Sequence, residues 1–347
     1  MPDSGRHGGR AARSSREVCT SRANPPGRRA RQTPSTAIKS TSSASESLIA
    51  QAHDRLPVRK TYKLYVGGQF PRSESGRSYV AKSPDGRVLA NAVRASKKDL
   101  RDAVRVARKA FPDWDGRTAM NRGQILYRAA EMMEGRRAQF EAEVADTEGL
   151  EPDAARTVVG RAIDRWVWYA GWADKISQLL GTVNPVGAPY FNFTIPEATG
   201  VVGIVAPEAS SLLGLVSRLA PVIVSGNAAV VLASETRPLP ALSLAEVLAT
   251  SDLPGGVVNI LTGLRRELVP VLAGHMDVNA LDAWGVAPEL QAQIEDLAME
   301  NVKRVARPPR GAGAVDRFDW LDDRAAQRPE WIAQFLEMKT VWHPIGV

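Results

Sequence analysis

Cysteine is almost absent. The 347 residues hold one, Cys19, so no disulfide can form within the chain, which fits a reducing compartment. Histidine is scarce too, and four scattered copies with one cysteine argue against a Cys/His metal site. No apolar run approaches the roughly 20 residues that a membrane helix needs, and no secretory h-region follows Met1. A cytoplasmic protein with no membrane partner is the expectation. Most of the chain also lacks excess charge, although the net charge is +7. Residues 1–60 carry 12 Lys and Arg against 4 Asp and Glu, and the remainder carries 33 against 34. The positive excess belongs to an N-terminal tail. The neutral remainder argues against nucleic acid as a partner.

Residues 1–59 are rich in Ser, Arg, Pro, Ala and Gly and almost free of aromatics. Such a segment cannot bury enough apolar surface to offset its ordering entropy, so a disordered basic tail is expected. Its composition also suits an anion-binding arm or an organelle transit peptide, with an inert solvated tail as the blander alternative.

What is present is organised around residues 199–251. The β-branched runs 201–206 and 228–233 bracket an apolar segment, 212–224, that ends at Ser225-Gly226-Asn227. Short β-branched runs read as buried strands, and a Gly-Asn pair stops a helix. The unit is therefore a parallel βαβ crossover, followed by a helix over 238–249. Further strands at 257–261, 278–283 and 302–306 alternate with helices at 265–273 and 288–299. This alternation predicts an α/β fold, a doubly wound Rossmann-like parallel sheet. Ligands on such sheets bind at the carboxyl ends of the strands, here 206–211 and 233–235.

Upstream, 63–66 and 69–70 flank Gly67-Gly68 as a hairpin. Ser96 is a candidate N-cap for a helix carrying Leu100, Val104, Ala107 and Phe111 at three- and four-residue spacing. Helices are expected at 118–133 and 136–147, and a long one from Asp153 to about Leu180, giving an N-terminal helical region. Trp166, Trp168, Tyr169 and Trp172 on the long helix read as packing aromatics rather than a stacking platform. Residues of about 185–205 read as a protruding hairpin whose exposed aromatics would meet a partner chain. Residues 310–330 read as a polar linker, and 331–347 as a C-terminal segment ending in a bridging strand.

These residues resemble the aldehyde dehydrogenase superfamily. Leu64-Tyr65-Val66-Gly67-Gly68-Gln69-Phe70 looks like the family's "YIGGEW" opening, and 200–207, GVVGIVAP, looks like "GVVGVIxPWNFP". Leu219-Ala220-Pro221, Gly226-Asn227, the LPGGVVNI run at 253–260, Thr262-Gly263, His275-Met276-Asp277-Val278 and Lys303-Arg304-Val305 follow in the family's order. In detail the chain resembles short, divergent actinobacterial-type members ending in "KTVWHPIG". The resemblance covers about residues 60–309 as a cofactor domain, plus the last dozen residues. It implies NAD or NADP as cofactor, at Val205, Ala206, Pro207, Glu235, Gly263 and Gly285. It also implies oligomerisation, with the C-terminal segment of one subunit pairing with its neighbour.

The family's chemistry needs a thiolate nucleophile, a Glu base and an oxyanion hole containing an Asn amide. The Trp-Asn of "PWN" falls on Glu208 and Ala209, and the ribose-binding lysine on Leu232. The "GSTEVG" phosphate turn falls on residues 285–290, where only the first glycine remains. The Glu-Leu-Gly-Gly of the base falls on Pro308-Pro309-Arg310-Gly311. Cys19 lies outside the matched span, and the domain that would carry the nucleophile is expected to be missing. The expectation is a pseudoenzyme with no catalytic residues, binding NAD(P) weakly or not at all. It would serve as a homo-oligomer or as a structural or regulatory partner of a full-length aldehyde dehydrogenase. An NAD(P) sensor, or a weakly active oxidoreductase using Ser210 or Ser211, are the alternatives.

Overall fold

The computed structural model describes residues 58–308 and 318–346. Most of the basic tail, Cys19 and residues 309–311 lie outside them. Among the described residues the central sheet has five parallel strands, β6 (Val201–Val205), β7 (Ala228–Leu232), β8 (Val258–Leu261), β9 (Ala280–Asp282) and β10 (Arg304–Ala306), in the order β10-β9-β6-β7-β8. The fold is the expected Rossmann-like α/β sheet. Chain order reverses between β6 and β9, which places a crevice at their carboxyl ends.

All but the edge strand β10 are buried on both faces, and their side chains divide with period two. Val201, Val205, Val230, Leu232 and Leu281 pack on one side with α1 (Lys97–Asp115) and α8 (Arg265–Gly274). Val202, Ile204, Ala229, Val231 and Ile260 pack on the other with α6 (Leu213–Val224) and α4 (Pro152–Ala170). Every residue of α6 is buried, as its unbroken apolar sequence requires. Ser96 is the N-cap of α1. Its hydroxyl accepts from the Asp99 amide and its own amide donates to the Asp99 carboxylate, a capping box worth roughly 1 kcal/mol. The helices α2 (Ala119–Glu134) and α3 (Arg137–Glu148) complete the layer on the α4 side.

Several expectations need correction. The long helix ends at Ala170, with Gly171 as its cap, and resumes only as α5 (Ile176–Leu180). The turn at Gly67-Gly68 forms with positive φ at both residues. Tyr65, however, pairs with Ile260 of β8, extending the central sheet. The hairpin consists of β4 (Thr182–Asn184) and β5 (Tyr190–Ala198), and β6 belongs to the central sheet. The C-terminal strand β11 (Leu336–Pro344) pairs with β5 of its own chain, antiparallel from Leu336↔Ala198 to Pro344↔Tyr190. The Phe335 carbonyl just before β11 accepts from Thr199 N and Asn227 Nδ2, which delivers the strand beside β5.

The linker also departs from expectation. Phe318, Trp320 and Trp331 pack around Trp284, with ring centroids 4.9, 5.1 and 5.4 Å from it. Arg165 of α4 anchors the segment, donating to the Trp320 and Ala326 carbonyls and to Asp323. Beneath the rings lies an ion pair with no solvent exposure. Arg218 Nε donates to Asp282 Oδ2 at 2.6 Å, and the guanidinium stacks over Trp284 and Trp331 at 4.9 and 4.4 Å. No helix among the described residues is long and apolar enough to cross a membrane.

Burial pushes the Asp282 carboxyl above its ordinary range even though Arg218 opposes the shift. Removing only the arginine therefore strands a buried acid. Arg218→Leu is expected to cost about 3–5 kcal/mol, read from the denaturant midpoint. Asp282→Asn keeps an acceptor for Arg218 but leaves a buried cation that cannot deprotonate, so a cost of similar size is expected.

Candidate functional site

The carboxyl ends of β6, β7, β8 and β9 and the loops that follow them frame a cleft of about 560 Å³. Its lining includes Glu208, Glu235, Thr236, Arg265, Trp284 and Gly285. At the switch point Gly285 N donates to Val205 O at 2.9 Å. A Cβ on Gly285 would lie 1.9 Å from the Ala206 carbonyl oxygen, so only glycine permits this approach.

One side chain spans the strand ends. Arg265, the first residue of α8, lies 12% exposed. Its Nη2 donates to the carbonyls of Ala206 at 2.5 Å and Ala233 at 3.2 Å, and its Nη1 to that of Gly285 at 3.0 Å. Nη1 also pairs with Glu208 Oε2 at 2.7 Å. The Arg265 amide donates to Glu235 Oε2 at 2.7 Å. A guanidinium with five donors in a rigid fork suits this task. It joins the ends of β6, β7 and β9 where the parallel strands present their carbonyls.

The Glu208 carboxylate is tied down equally closely. Oε1 accepts from Thr236 N at 2.7 Å, Thr236 Oγ1 at 2.5 Å and Ser234 Oγ at 2.9 Å. Oε2 accepts from Glu235 N at 3.0 Å. Burial alone would raise the Glu208 pKa, but Arg265 and the Thr236 and Glu235 donors together outweigh it and hold the pKa below the ordinary value.

The sequence-derived site residues divide in two. Glu235 and Gly285 line the cleft, and the Ala206 carbonyl faces it through Arg265. Val205 and Pro207 are buried behind it. Gly263 packs against Ala95 and Leu268 and is not part of the lining. Ser210 and Ser211 are structural. Ser210 Oγ accepts from Gly214 N, and Ser211, 1% exposed, donates to Glu148 from both its amide and its hydroxyl. Ala209 offers no side-chain donor, and Leu232 is 2% exposed within the core.

Sequence reasoning missed Arg265 and the nest around Glu208. One signal was available. A cation in the first turn of a helix opposes the macrodipole, so an arginine at that position needs acceptors elsewhere.

Two amides of the turn after β9 are engaged within the chain. Gly285 N and Val286 N already donate to the Val205 and Ala283 carbonyls, and Pro288 has no amide hydrogen. Arg265 occupies the space between the strand ends.

The model of the aldehyde dehydrogenase family matches residues 70–311. Mouse cytosolic 10-formyltetrahydrofolate dehydrogenase is 32% identical over 268 residues, covering 74% of this chain and 29% of that protein. Among solved structures, HpcC from Thermus thermophilus superposes with a TM-score of 0.68 at 27% identity, covering 72% of this chain and 48% of that one. PnpE in complex with nicotinamide adenine dinucleotide gives a TM-score of 0.67 at 27% identity, covering 71% of this chain and 50% of that one. The chain thus spans about half the length of these two structures and less than a third of the curated relative.

Two outcomes test the site geometry. Gly285→Ala forces Cβ onto the Ala206 carbonyl and is expected to cost about 3 kcal/mol or more, read by thermal unfolding. The folded pKa of Glu208 lies below its unfolded value near 4.3. The stabilisation from its pairing is thus complete above that value and is lost as pH falls through the lower folded one. Glu208→Gln is expected to flatten this acid limb in unfolding curves measured across pH.

Proposed function

The chain belongs to the aldehyde dehydrogenase family, and from that premise we propose that it is a catalytically silent member acting as a structural or regulatory subunit. The observation that carries the reading is Arg265. It lines the strand-end cleft and bonds the carbonyls of Ala206, Ala233 and Gly285, which ties up that edge of the sheet. Three further features support it. Ala209 lacks the amide needed to stabilise an oxyanion, Leu232 replaces the ribose-binding lysine, and Pro288 interrupts the phosphate turn. Loss of one oxyanion donor alone typically costs about 10²–10³ in rate. The one cysteine, Cys19, precedes the matched residues. On this reading NAD(P) binding is weak or lost.

The partner surface on this reading is the β4-β5-β11 sheet. It exposes Tyr190, Phe191, Ile195, Met338 and Trp342, the last at 59%. Tyr190 and Trp342 stack edge to face with centroids 5.9 Å apart. Exposed aromatics on a sheet with a nine-residue edge strand suit burial against a second copy or a full-length aldehyde dehydrogenase.

An NAD(P) sensor is the second reading. The open cleft beside Glu235 and Gly285 favours it, and it requires Arg265 to swing away from the strand ends. On that reading Arg265→Ala should strengthen NAD binding.

The purified chain is expected to form no NAD(P)H from aldehydes and to run as an oligomer or to capture a full-length aldehyde dehydrogenase from its host. Trp342→Glu is expected to abolish that association and leave circular dichroism unchanged. Aldehyde-dependent NADH formation, or a strict monomer with no such partner, would contradict the reading.

A further inference from the structure

At the β10 edge of the central sheet the usual sorting of side chains is inverted. Val302 is 90% exposed, and Lys303 beside it is 8% exposed. A lysine is rarely buried without an ion pair. The inversion follows from the way α9 (Pro288–Met299) closes. Lys303 N donates to Ala298 O at 2.9 Å and Val302 N to Met299 O at 3.2 Å. Val302 takes φ 56°, a left-handed position that normally falls to Gly or Asn. Lys303 Nζ donates to Asn301 Oδ1. Asn301 is held in that orientation, because its Nδ2 donates to the Met276 and Val278 carbonyls at 3.0 and 3.3 Å. Among the described residues no carboxylate forms an ion pair with Lys303, and burial pushes its amine down to about 8 against the opposing charge of Glu300. The other charged groups nearby are His275, itself lowered by burial, with Asp277, Arg101 and Arg108 beyond it. Glu295 and Arg307 pair with each other at 2.8 Å.

Lys303 lines a cavity of about 450 Å³ whose other walls include Ala298, Met299, Val302 and Val305. We propose that Lys303 is an amine nucleophile that captures an apolar aldehyde in this cavity as a Schiff base. The inference goes beyond the subunit reading and does not depend on it. A lysine that gives up its proton near neutral pH is a nucleophile toward carbonyl carbon. The neutral amine still donates one N–H to Asn301 Oδ1 and keeps its lone pair free. The lone pair adds to the aldehyde carbon. Both amine hydrogens then leave with the carbonyl oxygen as water, and a C=N bond replaces the C=O bond. No oxidant or reductant is consumed. The apolar walls select an alkyl chain over a charged one, because an added carboxylate would be desolvated there without a free cation to pair with.

The test incubates the full chain with hexanal and sodium cyanoborohydride, which reduces the imine to a stable secondary amine. The labelled lysines are then mapped by mass spectrometry. Lys82 and Lys97, both exposed, serve as internal references. At pH 7 Lys303 is expected to be labelled about tenfold faster than either. The unprotonated fraction at a pKa of about 8 is roughly a hundredfold that of an ordinary lysine, and restricted access offsets part of the gain. The Lys303 rate is expected to level off above about pH 8, whereas an ordinary lysine keeps gaining to about pH 10. With glyoxylate in place of hexanal, the preference for Lys303 over Lys82 is expected to fall by about fivefold or more, since the alkyl chain and its burial are lost. Labelling of Lys303 no faster than that of Lys82 and Lys97 would overturn the proposal, as would an undiminished preference with glyoxylate. The wild type alone decides, so no variant has to fold.

Discussion

Parallel strands that end together leave their last carbonyls crowded along one edge, and here one guanidinium satisfies that edge. Arg265 reaches back from the start of α8 and binds the ends of three strands at once. The close approach of Gly285 to Ala206 narrows the crevice to a width that a single side chain can bridge. A cation in a first helical turn works against the helix dipole. The bonds to Ala206, Ala233, Gly285 and Glu208 offset that local cost. The consequence is that the guanidinium becomes part of the cleft wall at the strand ends.

A second constraint acts through the sheet from behind. Asp282, at the end of β9, is held by Arg218 of α6, and the aromatic rings of Trp284, Trp320 and Trp331 close over the pair. A buried ion pair adds little net stability, but loss of one partner is severe. It therefore fixes where β9 ends and, with it, the position of Trp284 beside the cleft. The segment around Phe318 and Trp320 supplies the cover, and β11 follows it back onto β5. Cleft, aromatic cover and exposed three-stranded sheet are thus linked in one chain of packing.

The fold was largely legible in the sequence because β-branched runs bounded by Gly and Asn define buried strands without reference to the rest of the chain. Ser96 was legible for a similar reason, since a capping box is local. Glu235 was legible as a strand-end residue and Gly285 through the resemblance, and both line the cleft. Arg265 was not, because periodicity reports which face of an element is apolar and not where a long side chain turns back. The same limit hid Glu208, whose donors lie in another loop. Phe318 and Trp320 read as linker because their partners, Trp284 and the carbonyl contacts to Arg165, are distant in sequence. The pairing of β11 with β5 was expected across subunits, and the short path from Phe335 makes it within the chain.

The most direct measurement is a calorimetric titration of the full chain with NAD and with NADP into the millimolar range. The account predicts no saturable heat, because Arg265 is already engaged by Glu208 and by the strand-end carbonyls. Stoichiometric binding at micromolar concentration would contradict it and would show that Arg265 yields the crevice to a dinucleotide.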